Sequence, residues 1–585
     1  LTEAPLRTES PAGRRRIERV AVENTAQAYL ELLRARGIRY FFGNAGTDFG
    51  SLIDGLARFA AEGKAWPRPI TAPHETVAVA MAHGVTMVTG APQAIMVHVT
   101  VGTANAAAGL INAARMRIPM LFTAGRNPVT EAGVRGARSR YIHWAQEAYD
   151  QAGMVREYVK WDYELRTFAQ LETVVDRALQ VALTPPAGPV YLTLPRELLA
   201  EPHAEIAFTV PARLRPARPA PPDPAAIREA ARILARAERP LIITAAAGRD
   251  PAAVPALVGL AEAGAIPVVA FNPTYLSFPS THPLHLGFEP GPALRRADVV
   301  LVVESDVPWI PKDEAPAAGA TVIQLGEDPA FVRYPIRGFP ADLALGGHVA
   351  AGLTGLAAEV GRLARGRAAV GRRRAWAATE QRRLRRLARA AARRGRREAP
   401  VDFEWLSACL NAVADGRTMF VNEYDLRLAQ VDLARPGSYF ASPPSSGLGW
   451  GLGAALGAKL AAPEQTVICT VGDGAYLFGA PSAAHFVSRA EGLPVLFVIF
   501  DNQCWNAVKR ATRELHPDGW AVRTGHFPLS DLSPAPAYAQ IVRAFGGYGE
   551  QVEKPAEVPA ALERALRAVR REGRQALLHV LCRPS

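Results

Sequence analysis

A chain of 585 residues, 49% apolar and 21% charged, has material for about three domains with sizeable cores. Its formal net charge is +12, but residues 361–400 alone hold fifteen arginines against Glu380 and Glu398, so the rest is near neutral and basicity does not describe the protein as a whole. Cys409, Cys469, Cys504 and Cys582 show no paired spacing, which argues against a disulfide framework or a zinc site and for a reducing cytoplasm; no run has the uninterrupted apolar length of a membrane span.

Arg14-Arg15-Arg16 is followed by Ile17-Glu18-Arg19 and not by a long apolar core, which speaks against a signal peptide. From there on, apolar runs alternate with helical segments, the pattern of an α/β architecture. A first domain is expected over residues 17–199. On position alone, Glu75 reads as a solvated first-turn glutamate of a helix and His98 as a histidine satisfying a local hydrogen bond. The proline-rich residues 212–224 read as an extended linker. Residues 226–360 carry their own strands, at Ile242-Ile243-Thr244, Val268-Val269-Ala270, Val299-Val300-Leu301-Val302-Val303 and Val322-Ile323, and form a middle domain.

The arginine- and alanine-rich residues 361–400 predict a solvated helix or linker. Nucleic-acid binding is the sharper reading of such a patch, yet no aromatic interleaving or binding motif accompanies it. No nucleic-acid or membrane partner is expected. A last domain begins at Phe403 and runs over residues 403–585. Within it, Ser445-Ser446-Gly447-Leu448-Gly449-Trp450-Gly451 reads as a glycine-rich helix start packing on a strand.

Thr466-Val467-Ile468-Cys469-Thr470-Val471 has the β-branched, apolar character of a buried strand and ends on Gly472-Asp473-Gly474-Ala475, where the backbone must turn sharply beside a ligand. Leu493-Pro494-Val495-Leu496-Phe497-Val498-Ile499-Phe500 is a second strand, with a crossover helix over residues 483–489. The two strands place Asp473 and Asn502, 29 residues apart, at adjacent carboxyl ends, where open α/β sheets bind ligands. An Asp, an Asn and a loop carbonyl suit magnesium, which takes oxygen ligands and leaves further positions to phosphate and water.

Gly472-Asp473-Gly474 followed by Asn502 resembles the metal and diphosphate motif of thiamine diphosphate enzymes, with Asp501 standing where the first of two asparagines is usual. Ala72-Pro73-His74-Glu75-Thr76-Val77-Ala78-Val79-Ala80-Met81-Ala82-His83-Gly84 resembles a segment of the acetolactate synthase and benzoylformate decarboxylase group. Phe41-Phe42-Gly43-Asn44-Ala45-Gly46-Thr47 and Val97-His98-Val99-Thr100-Val101-Gly102-Thr103-Ala104-Asn105 are similar to two further segments of that group. The resemblance implies three doubly wound parallel-sheet domains, which bind the cofactor's pyrimidine (first) and diphosphate (last) on either side of a middle domain. It further implies thiamine diphosphate and Mg2+ as cofactors. Asp473, Asn502 and the carbonyl of Cys504 would hold the metal, and Gly472, Gly474 and Ala475 would line the diphosphate. Glu75 would meet N1′ of the aminopyrimidine, a task for a carboxyl with a raised pKa. His98 would move protons and Thr47 would hold substrate. Leu448 would be the apolar wedge that bends the cofactor, and the Ser446 carbonyl would accept from its amino group.

The implied activity is non-oxidative decarboxylation of a 2-oxo acid through an enamine. Acetolactate synthase-like carboligation, or lysis of a hydroxyacyl-CoA or hydroxyketone, is the alternative. A homodimer or homotetramer with the cofactor between subunits is implied as well. Departures from the group are equally specific. Pro311 stands near a second active-site histidine. Asn422-Glu423-Tyr424-Asp425-Leu426-Arg427 replaces a hydroxyl-rich segment, leaving Arg427 as either a phosphate donor or a surface arginine. Alanines replace glycines in Thr244-Ala245-Ala246-Ala247-Gly248, which argues against a bound flavin.

Overall fold

The computed structural model describes residues 15–583; Arg14, at the head of the basic run read for a leader, lies outside them. Three parallel sheets form the frame. The first has the strand order Arg68–Thr71, Tyr40–Gly43, Ala94–Val97, Met120–Arg126, Pro189–Pro195, Asp162–Glu164, every adjacent pair parallel. The last has the order Tyr439–Ala441, Thr418–Glu423, Thr466–Gly472, Leu496–Asp501, Ala576–Leu581, Tyr548–Val552. Numbered along the chain, both read 2-1-3-4-6-5, so the two sheets share one topology. The middle sheet, built on Pro240–Thr244 and Val299–Val303, reads 2-1-3-4-5. Arg16–Ala21 and Glu205–Val210 pair antiparallel beside the first sheet.

Helices cover both faces of these sheets, so their central strands are mostly apolar. Val299–Val303 and Leu496–Asp501 are buried at every position. The latter starts three residues later than the apolar run predicts. Pro494 has no N–H for a ladder, and Leu493 N–H donates instead to Ser488 O at 2.8 Å, closing the preceding helix. That helix, Pro481–Ala490, is longer than the expected 483–489 and opens on a proline, which suits a first helical position.

The basic segment differs from a free linker. The middle domain's helix Val349–Ala364 extends into it, Gly366 breaks the chain at φ +75°, and a second helix runs over Ala368–Gly395. Arg373 on that helix is buried and donates to Gly264 O and Ala237 O, both at 2.8 Å. Arg385 pairs with Asp432, and Gln430 Nε2 donates to Ala388 O at 2.7 Å. The helix thus struts the middle domain against the last, and part of its charge serves packing. Among the described residues no helix is long and apolar enough to cross a membrane.

The first and last domains meet through the helices Glu75–Thr89 and Trp450–Ala461, both buried along most of their length. Glycines let their backbones touch. A Cβ on Gly84 would lie 2.2 Å from Ala454 O, one on Gly457 2.0 Å from Met81 O, and one on Gly453 2.6 Å from Ala80 Cβ. Larger residues there force the helices apart, at a cost of about 1–3 kcal/mol or more. Gly457→Val is expected to lower the thermal unfolding midpoint and to reduce cofactor affinity with it, measurable by calorimetry with and without thiamine diphosphate.

Candidate active site

In each six-stranded sheet the order reverses between the first and third strands of that domain, the place where open α/β sheets leave a crevice at their carboxyl ends. In the first domain these strands end at Gly43 and Val97; in the last they end at Glu423 and Gly472. Asn44 to Thr47 and His98 follow the first pair, Tyr424 and Asp473 the second. Glu75 opens the helix after Arg68–Thr71, and Asn502 follows Leu496–Asp501.

Glu75 is not a solvated first-turn glutamate. It is 5% exposed and its carboxylate accepts from Asn44 Nδ2 at 2.9 Å and Asn105 Nδ2 at 3.2 Å. His98 has Nδ1 2.5 Å from Oδ1 of the buried Asp48. This pairing holds its pKa above the ordinary imidazole value, the hydrogen bond to Asp48 outweighing partial burial. With Nδ1–H donated to Asp48, Nε2 is the nitrogen turned away from it. Glycines make the room. A Cβ on Gly46 would lie 2.1 Å from His98 Nδ1, and one on Gly125 would lie 1.8 Å from Asp48 Oδ2.

Thr47 is exposed, and its Oγ1 lies 3.3 Å from Nε2 of the buried His143. His143 Nδ1 accepts from Ser139 N–H at 3.1 Å, so Nε2 carries the proton and donates to Thr47. Burial, then Arg196 and Arg138, lower the His143 pKa and keep the ring neutral. The sequence reading missed Asp48, His143, Asn44 and Asn105. Asn44 and Asn105 lie inside the family-like segments 41–47 and 97–105 and Asp48 stands beside Thr47, so these three offered a signal; His143 offered none.

On the diphosphate side, Asp473 begins the helix Asp473–Phe478, with Gly472 as its cap and Gly474 and Ala475 buried in its first turn. Asp473 is 3% exposed and its Oδ2 has no hydrogen-bond partner. Burial, then the neighbouring Asp501 carboxylate, push its pKa up. Asn502 is buried, and its Oδ1 accepts from Cys504 N–H at 3.1 Å; the Cys504 carbonyl accepts from Asn506 N–H at 2.9 Å and keeps a second lone pair. An orphaned carboxylate oxygen among amide and carbonyl oxygens fits a hard divalent cation. Asp501 is engaged elsewhere, with Oδ2 2.6 Å from His579 Nε2 and Oδ1 accepting from Gln503 N–H at 2.9 Å. Trp505 closes over the motif so tightly that a Cβ on Gly474 would lie 2.2 Å from its ring.

The loop ahead of Trp450–Ala461 is held by two buried side chains. Glu423 accepts from Gly449 N–H at 2.7 Å and Gly451 N–H at 2.6 Å; burial pushes its pKa up to about 7 against these bonds. Asn112 accepts from Gly447 N–H at 3.1 Å and from Ser445 Oγ at 2.7 Å, and donates to Gly447 O at 2.8 Å. Ser446 adopts φ +56° and Leu448 is half-buried beside it. Arg427 is half-buried with its guanidinium 4.9 Å from the centre of the Phe403 ring. Asp425 has its Oδ2 2.8 Å from where a Cβ of Gly472 would be. A cavity of about 1350 Å³ between the middle and last domains, lined in part by Arg249, Arg383 and Trp376, opens on the Ser446 loop.

Within one chain His98 stands apart from the Gly447 loop. His98 caps the start of the helix Val99–Arg115, while Asn112, near its end, holds the Gly447 loop. At 1.5 Å per residue this puts about 20 Å of helix between them.

Two like sheets, each presenting polar side chains at its reversal point, define an α/β enzyme with a bipartite cofactor crevice. Models of the thiamine pyrophosphate enzymes match in all three parts: the N-terminal TPP binding domain at residues 23–154, the central domain at 227–356 and the C-terminal TPP binding domain at 423–580. The chain belongs to this family. It is 28% identical over 560 residues to benzoylformate decarboxylase of Pseudomonas aeruginosa, covering 93% of this chain and 96% of that one. To the acetolactate synthase large subunit of Mycobacterium tuberculosis it is 28% identical over 572 residues, covering 94% of each. The structure of a Rhodococcus jostii 4-hydroxybenzoylformate decarboxylase superposes with a TM-score of 0.77 at 24% identity, covering 96% of this chain and 99% of that one.

Asp48→Asn removes the carboxylate that holds the His98 proton. The His98 pKa is then expected to fall, which side-chain NMR of histidine-labelled protein reads directly. If His98 acts as an acid, the high-pH limb of the activity profile moves to lower pH in the same variant.

Proposed function

We propose that this protein is a magnesium- and thiamine diphosphate-dependent decarboxylase of 2-oxo acids. The observation that carries this reading is the pairing of Glu75, buried against Asn44 and Asn105, with a His98–Asp48 dyad at the same sheet end. Thiamine diphosphate, when bound, would supply a thiazolium ring able to take up the electron pair of the bond that is cleaved. Asp473, Asn502 and the Cys504 carbonyl hold the magnesium, and the backbone of Gly472, Gly474 and Ala475 lines the diphosphate. Glu75 keeps a proton at N1′ of the aminopyrimidine, the Ser446 carbonyl accepts from its amino group, and Leu448 supports the bend between the rings. Thr47 orients the substrate carboxylate. His98 Nε2 delivers a proton to the product, and Asp48 keeps that nitrogen loaded.

The separation of His98 from the Gly447 loop along Val99–Arg115 supports a site shared by two copies, with the first domain of one facing the last domain of the other. Exposed apolar side chains flank both clusters: Val101 beside His98, and Leu477 and Phe478 beside Asp473. The four buried thiols fit a cytoplasmic setting.

Purified protein is incubated with magnesium, thiamine diphosphate and either benzoylformate or pyruvate, and carbon dioxide and the carbon product are followed. Aldehyde as sole product supports the decarboxylase. Acetolactate from pyruvate replaces it with the synthase reading, for which the mycobacterial relative is the precedent. Glu75→Gln is expected to lower turnover about 10²–10⁴-fold with cofactor still bound. Asp473→Asn is expected to lose magnesium-dependent cofactor binding. Co-expression of the two variants restores part of the activity if the site is shared, because one of the two crevices then carries neither change, and restores none if each chain holds a whole site.

A further inference from the structure

Beside Thr47, the carboxyl end of the first sheet carries polar groups that the proposed reaction leaves without work: Arg126 and Pro195 are register partners, so Asn127 and Arg196 leave neighbouring strands together. Arg196 follows the strand Pro189–Pro195, at the same sheet end as His98, and its Nη1 lies 3.5 Å from His143 Nε2, the atom that also meets Thr47. One nitrogen therefore separates the arginine from the residue expected to hold the reacting end of the substrate. Arg126 and Arg138, the neighbouring arginines, are both paired with Glu147. Arg196 has one acceptor, Ser139 Oγ at 3.3 Å; the protonated Nε2 of His143 beside it cannot accept, and no carboxylate lies within ion-pair distance among the described residues. Asn127, directly after the strand Met120–Arg126, is 2% exposed, and neither its Oδ1 nor its Nδ2 has a partner. Arg138 ties this segment to His143, donating to Pro128 O and to His143 O, each at 2.8 Å. Buried amides without partners are rare in native folds and call for a ligand or water.

We infer that Arg196, His143 and Asn127 form a second recognition point of the crevice, which takes a carboxylate at the far end of the substrate. The substrate class is then a 2-oxo acid with a second acidic group, and this rests on the 2-oxo acid reading of the site. A planar guanidinium suits a carboxylate through two parallel N–H bonds, and Asn127 Nδ2 adds a third donor. The charges agree. Asp48 is paired with His98, and Glu147 with Arg126 and Arg138, which leaves Arg196 without a carboxylate partner among the described residues.

Binding and turnover are measured separately, on the protein loaded with magnesium and thiamine diphosphate. Calorimetric titration with glutarate against butyrate reads the subsite without chemistry. Turnover of 2-oxoglutarate against 2-oxopentanoate reads it during reaction. Wild type is expected to favour the diacid by about tenfold or more in both, the size of one charge-assisted pair. Arg196→Gln should bring both ratios to about one, and Arg196→Lys should restore part of each. Asn127→Asp, close in volume, should weaken glutarate and leave butyrate unchanged. Equal use of both acids, or a preference that survives Arg196→Gln, overturns the subsite and leaves the decarboxylase intact. Arg196-dependent glutarate binding with neither 2-oxo acid consumed does the reverse, keeping the subsite and removing the decarboxylase. Absence of any glutarate preference overturns the subsite whatever turnover shows.

Discussion

The contact between the helices Glu75–Thr89 and Trp450–Ala461 is the constraint on which the rest of the crevice depends. One begins at the glutamate facing the pyrimidine side, the other directly after the Ser446–Leu448 loop. Their backbones approach so closely at Gly84, Gly453 and Gly457 that no side chain fits between them. Such contact has no slack, because dispersion falls steeply with separation and a small gap forfeits much of it. A shift at this seam moves Glu75 and the loop together. Glu423 and Asn112 then lock the loop to the last sheet and to the first domain. The cofactor-facing groups are thus positioned by buried backbone and not by flexible surface segments.

Much of this frame was legible because its signals are local. Thr466–Gly472 and Leu496–Asp501 are continuous apolar strands, and the residues that end them sit at a fixed spacing, so the parallel pair and its ligand-bearing ends follow from sequence alone. Glu75 is a different case. Its helix position is common for glutamates, and that position does not report the burial imposed by Asn44, after the strand Tyr40–Gly43, and Asn105, on the helix Val99–Arg115. Asp48 is hidden for a related reason. An aspartate in a polar loop looks ordinary until Gly46 and Gly125 are seen to clear space for its bond to His98. His143 comes from residues 127–155, which contain only short helical turns, so periodicity carries no information there. The arginines of residues 361–400 announced a helix, but not that Arg373 would be buried in caps left by other helices.

The two six-stranded sheets also explain how one crevice acquires two chemistries. Their identical order puts equivalent reversal points in both domains, yet the side chains there differ in kind. The first supplies proton carriers, a glutamate and a histidine whose pKa is tuned by an aspartate. The last supplies oxygen donors and backbone N–H groups. Proton transfer needs groups whose charge changes easily, while a metal and diphosphate site needs charge that stays fixed. Dividing these demands between two domains would keep the proposed proton carriers away from a magnesium ion, whose field would otherwise depress their affinity for protons.

The same reasoning accounts for Asp501, where this chain departs from its family. A carboxylate one residue before Asn502 adds repulsion beside Asp473, a second cause, after burial, of the raised pKa of Asp473. The sheet contains it. His579, on the adjacent strand Ala576–Leu581, reaches Asp501 Oδ2, while Gln503 N–H takes Oδ1, so both oxygens are occupied before a metal arrives. Asp501 is therefore a buttress for the turn that aims Asn502, not a further ligand. The uncompensated oxygen in the cradle is Asp473 Oδ2, and a divalent cation is the natural partner that removes its burden. A departure at the motif has been absorbed by a partner 78 residues away, which no local pattern could disclose.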